Sequence, residues 1–181
     1  MSDTLITVVA ILLAAVLMFI FPLLSVSERS DDISQLSVAS ATAEFVDNSR
    51  AIGKITMDNY TKLITTINAT GNSYDVEMEI KVLDENIGKK SAWTQGTVIG
   101  ENVYYSVYTS QIVEVLEDRE GTYKSNGVYT MKEGDIFSVS VKNTNKTLSQ
   151  TIRGVFYSLS GSDVYSIMAQ HSGVVTANGS Y

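Results

Sequence analysis

Residues 5–24 read LITVVAILLAAVLMFIFPLL, an uncharged run in which only Thr7 and Pro22 depart from the apolar theme. At about 1.5 Å rise per residue such a helix reaches about 30 Å, the thickness of a bilayer's hydrocarbon core. A soluble helix that is apolar all round needs a core on every side, and the remainder of a 181-residue chain can hardly supply one. The run therefore predicts a membrane anchor over residues 1–26, with Leu5, Val9, Leu12, Leu13, Val16, Phe19 and Leu24 facing the lipid bilayer. Pro22 falls in the last turn, where the lost hydrogen bond costs least.

Orientation follows from the flanks. Met1, Ser2, Asp3 and Thr4 include no Lys or Arg, while Glu28, Arg29, Asp31 and Asp32 set one basic residue against three acidic ones. The first flank gives the positive-inside rule nothing to hold, while the acidic second flank and the size of the domain beyond it weakly favour translocation of the C-terminal side, giving a single-pass protein of the cell membrane with an extracytoplasmic domain. The competing reading is a cleaved signal peptide, with the small residues Ser25 and Ser27 at the cleavage positions. The missing basic leader and the length of the apolar run favour a retained helix.

Residues 27–53 predict a helical stalk. Between Ser27 and Arg50 there is no Pro or Gly, and Ile33, Leu36, Ala39, Ala43, Val46 and Arg50 recur at three- and four-residue steps. Small residues let helices approach closely, so Ala10, Ala14, Leu36, Ala39 and Ala43 are the candidate helix-packing positions. Two uses of the stripe stay open: packing on the chain's own domain, or a continuous spine that self-associates with further copies.

Residues 54–181 predict an extracytoplasmic α+β domain with a mostly antiparallel sheet and helices on one face. Gly53 ends the stalk, and Thr56 caps a helix MDNYTKLITTIN whose Tyr60, Leu63, Ile64 and Ile67 face a core before Gly71 stops it. Tyr74–Val82 alternates apolar residues with Asp75, Glu77, Glu79 and Lys81 in unbroken phase, a strand with one solvated face. Asp84–Gly100 reads as a loop carrying Trp93. Ser106–Glu117 reads as a helix with Tyr108, Ile112, Val115 and Leu116 inward, its β-branched content keeping a strand open as the alternative. Asn126-Gly127 signals a hairpin, Lys132–Asp135 a turn, and Ile136–Lys142 a strand. Asn143–Asn145 would cap a helix running to about Leu159 with Leu148, Ile152, Val155, Phe156 and Leu159 in its stripe. Val164–Ala169 would be the last strand, which the tail from His171 extends or leaves frayed.

Composition narrows the chemistry. Thirteen basic against 20 acidic residues give a net charge of −7, which disfavours nucleic acid as a partner. There is no Cys and one His, so thiolate catalysis, disulfides and multi-histidine metal sites are excluded. No phosphate-binding loop, dinucleotide fingerprint or hydrolase elbow occurs, and His171 beside Ser172 is more simply a surface histidine than a catalytic base. We expect no enzyme, no cofactor and no metal. Sequons at Asn59, Asn68, Asn145 and Asn178 barely exceed chance, and the first two fall in a predicted helix.

Phe45-Val46-Asp47 with Arg50, Gly53 and Ile55-Thr56, then Ala69–Asn72 and Tyr74–Glu77, follow an apolar N-terminal helix. Over about residues 1–82 this layout resembles the type IV pilin-like proteins, and more specifically the TadE/TadG-like pilin-related proteins of tight-adherence secretion loci in Gram-positive bacteria. The resemblance implies a non-enzymatic structural subunit, pilin-like or pseudopilin-like, whose partners are further copies or related subunits. The sequence lacks the basic leader ending in Gly, and the Glu five residues into the mature helix, that peptidase-processed pilins carry. That departure favours a membrane-resident pseudopilin or accessory subunit. A membrane-tethered binding module whose loops, around Trp93, capture an extracellular ligand is the alternative.

Overall fold

The computed structural model describes residues 2–83, 104–117, 127–157 and 166–179. Its spine is helix α1 (Ser2–Ile52), 51 residues without interruption and about 77 Å long. The predicted anchor and stalk are thus one rod. The following elements are β1 (Lys54–Thr56), α2 (Met57–Asn68), β2 (Tyr74–Leu83), β3 (Tyr104–Tyr108), α3 (Thr109–Leu116), β4 (Val128–Thr130), β5 (Ile136–Asn143), α4 (Leu148–Tyr157) and β6 (Met168–Val174).

A four-stranded antiparallel sheet in the order β3-β2-β5-β6 forms the body, and β1 pairs antiparallel with β4 beside it. The α+β expectation is met. On β2, Val76, Met78 and Ile80 are buried while Asp75 and Glu77 are exposed, and on β5 the buried set is Phe137, Val139 and Val141. Period-two alternation in both strands, in register at Val76↔Val141, Met78↔Val139 and Ile80↔Phe137, turns one apolar face inward. Against it lie Val38, Ala41, Phe45 and Val46 of α1, Leu63 and Ile67 of α2, and Ile112 and Leu116 of α3. Phe45 meets Phe137 edge to face, with ring centroids 5.8 Å apart. At the sheet's edge the Gln35 side chain takes both backbone groups of Met168, accepting at 2.9 Å and donating at 2.6 Å, so α1 covers the end of β6.

Gly53 ends α1 with φ +70°, and Thr56 caps α2 by accepting from the Asn59 N–H at 3.2 Å, as read from the sequence. Leu63 and Ile67 are buried, with Tyr60 and Ile64 packed at the core's margin.

Several expectations need correction. The predicted helix 106–117 is two elements. Tyr104–Tyr108 pairs with β2, Tyr108 is exposed, and the helix begins only at Thr109. Val128–Thr130, after the predicted turn, pairs with Lys54–Thr56. The fourth helix begins at Leu148, with Thr147 as its capping residue. The Thr147 N–H donates to Gln150 Oε1 at 3.0 Å, and the Gln150 N–H donates back to the Thr147 hydroxyl at 3.3 Å. Asn145 instead accepts from the Ser73 N–H and donates to Asn72, tying the turn after α2 to the end of β5. The last strand begins at Met168 and continues through His171 to Val174. Trp93, the loop 84–100, the hairpin's first arm and the side chains of Val155, Phe156 and Leu159 lie outside the described residues.

Candidate functional site

The surface that stands out is α1 itself. Leu5, Val9, Leu12, Leu13, Val16 and Phe19 are all exposed, Phe19 at 77% of its surface, as are Ala10 and Ala14. Leu24 is half-buried. Such a contiguous apolar surface far exceeds the few hundred Å² that soluble monomers ordinarily leave in water. By length and composition this helix is able to cross a membrane, the one candidate among the described residues.

Beyond residue 26 the helix has two faces. The face on the domain carries Ser27, Asp31, Ser34, Val38, Ala41, Thr42, Phe45, Val46 and Ser49, all buried. Of the predicted stripe only Val46 belongs to it fully. Ile33 and Leu36 are 59% and 72% exposed, and Ala39 and Ala43 are half-buried at the flank. The sequence reading missed the buried face because Ser27, Ser34 and Thr42, set among its apolar residues, read as polar. Their hydroxyls donate to carbonyls one turn back (Ser27 to Leu23, Ser34 to Ser30, Thr42 to Val38), which lets them pack as small apolar residues.

The outward face is coherent. At about 100° per residue, the exposed Ile33, Leu36 and Ser40 project within a sector of about 60° on an ideal helix, away from Val38 and Phe45, with Ala39 and Ala43 half-buried at its margin. Beside it, between α1 and α2, run two hollows of about 410 and 500 Å³ that share Ser37 and Thr66. Leu36, Ser40 and Leu63 line one of them, and Val26, Ile33 and Ala69 the other.

Elsewhere the chemistry is structural. His171 and Ser172 are neighbours on β6 and so point to opposite faces, which removes the Ser/His pairing. His171 Nε2 lies 3.2 Å from Asp47 Oδ1, which also accepts from Arg50 Nε at 2.8 Å. The hydrogen bond from Arg50, then that from His171, hold the Asp47 carboxyl below the usual carboxylate range. Burial, with the charges of Glu117 and Asp75, pushes the Tyr60 hydroxyl up.

Glu79 accepts from the Ser106 hydroxyl at 2.7 Å, and Asp75 sits opposite Lys142 in the sheet, so the acidic row is a paired, solvated sheet face. A shallow depression of about 680 Å³ lies over this face, walled by Tyr108 and Ser110 and floored by Glu77, Ser138 and Gln170. Among the described residues no group of His, Asp and Glu could hold a metal ion. The chain matches no protein-family profile, no curated protein and no solved structure.

Proposed function

We propose that the chain is a non-enzymatic, single-pass structural subunit of the cell membrane, pilin-like or pseudopilin-like, working in a tight-adherence or secretion-type assembly. Residues 5–24 of α1 span the bilayer, and the sheet domain is held outside the cell by the same uninterrupted helix. The observation that carries this reading is that rod. Its first half has no protein core around it, and its second half is packed on the domain by one face only, leaving Ile33 and Leu36 outward. Lipid satisfies the first half. The outward stripe of the second is offered to α1 of another copy or of a related subunit, where Ser40 and the alanines permit close approach. The acidic, hydroxyl-lined depression at Tyr108 is the feature that favours the alternative, a membrane-tethered binding module.

The chain has no cysteine, so single cysteines report cleanly. In native membranes, Ala14→Cys, Leu36→Cys and Ser40→Cys should each give disulfide- or short-linker-crosslinked oligomers, while Lys81→Cys on the outer sheet face should not. Monomers at every position would remove the subunit reading. Release of the full-length chain by an alkaline carbonate wash would remove the anchor.

A further inference from the structure

Helix α4 descends alongside α1 toward the apolar run. At its start, the Thr147 hydroxyl donates to Asp31 Oδ2 at 2.7 Å and the Ser149 hydroxyl donates to the same oxygen. One turn later, Arg153 Nε donates to Glu28 Oε1 at 3.0 Å, and Nη2 of the same guanidinium bonds that oxygen too. As α4 advances from residue 149 to 153, its partner on α1 retreats from 31 to 28, so the two helices are antiparallel. At about 1.5 Å per residue, four further residues bring Tyr157, the end of α4, level with about Leu24. Leu24 is also where the apolar run ends.

Two more observations agree with a helix laid along the membrane boundary. Leu17, Ile20 and Leu24 are half-buried among exposed neighbours, and they continue, at three- and four-residue steps, the Ser27–Asp31 face on which α4 sits. The first turn of α4 also spends its polar residues on packing, Ser149 and Gln150 being buried while Leu148 and Thr151 are exposed.

We propose that α4 is an interfacial foot. It lies against α1 in the headgroup layer, its last turn enters the acyl-chain boundary of the leaflet on the domain's side, and its partner is the lipid itself. Arg153, neutralised by Glu28, sits at headgroup depth, about 6 Å above the level of Leu24. The domain then rests on the bilayer instead of standing off on a stalk.

This inference rests on the reading that residues 5–24 span a bilayer, and the test separates the two. Full-length Gly154→Cys and Tyr157→Cys are labelled with an environment-sensitive fluorophore in phosphatidylcholine/phosphatidylglycerol vesicles, with Leu12→Cys and Ala51→Cys as references. Open space surrounds a Cβ at Gly154, so that variant keeps the fold if Tyr157→Cys does not. Lipid-borne nitroxide should reduce emission at 154, 157 and 12 by about twofold or more and leave Ala51→Cys unchanged. Quenching at Leu12→Cys alone overturns the foot and spares the anchor. No quenching at Leu12→Cys overturns both. A label at 154 or 157 that is shielded from water yet not quenched by lipid is covered by protein, and also overturns the proposal.

Discussion

Gly53 bears more of the fold than any other small residue. Its φ of +70° is the left-handed turn that ends α1, and an added Cβ would lie 2.1 Å from the Ala177 carbonyl oxygen and 2.5 Å from the Gly179 N. Both clashing atoms are backbone, so no side chain can swing away. The same glycine's carbonyl accepts from the Met131 N–H at 2.7 Å, and Gly179 N–H donates to Met131 O, weaving the tail into the end of the rod. Gly53→Ala should cost about 2–3 kcal/mol and loosen the tail, read as a lower urea midpoint with lost hydrogen-exchange protection at Thr176 and Gly179. Asp47 supplies a pH signature. Its carboxyl is held below the ordinary value of 3.8 by Arg50 and then His171, so the unfolded chain binds that proton first as pH falls. Stability from this group is present above about pH 4 and is lost as pH drops through the depressed value. Asp47→Asn should therefore be less stable than the parent at pH 6, and the gap should close on titration toward pH 2, measured by urea unfolding at each pH.

At the level of elements, the tie between α1 and the first turn of α4 depends on one carboxylate. Asp31 is buried and accepts from both Thr147 and Ser149. Asp31→Ala leaves two buried hydroxyls without their acceptor and should destabilise the chain by about 1–3 kcal/mol. Differential hydrogen exchange would place the loss at the first turn of α4. This tie joins positions more than a hundred residues apart, and nothing in either local stretch announces it. What sequence does announce is periodicity. Tyr74–Val82 and Phe137–Lys142 alternate without a slip, and the apolar stripe of α2 repeats at helical spacing, so these elements were legible within a residue or so. Strand β3 is legible only as an alternative to a helix, because Tyr104–Tyr108 runs into α3 with no Gly, Pro or Asn between them. A change of period without punctuation looks like one element. Strand β1, at three residues, is too short to show a period and exists only through its pairing with β4. The buried face of α1 was misplaced because hydroxyls bonded within the helix count as polar on paper and as filler in the core.

For the molecule as a whole, the division that matters is along the rod. Every buried hydrophobic residue of the core lies at Val38 or beyond, and the first buried position of α1 is Ser27. The side chains of residues 3–16 are exposed throughout. A chain beginning at Ser25 thus loses the apolar run and keeps every core contact. It should leave the membrane pellet yet unfold cooperatively, with a midpoint within a few degrees of the full-length protein in detergent. A chain beginning at Phe45 is the contrasting case. It forfeits Val38, Ala41 and Thr42 from the packed face, the Gln35 cover on Met168 and the Asp31 acceptor for α4. Removing that many buried groups exceeds the roughly 5–15 kcal/mol that holds an ordinary domain together. Its denaturation curve should be broad and its amides unprotected. If the Ser25 chain behaved the same way, residues before 25 would contribute to the domain's core, and anchor and domain would be a single folding unit.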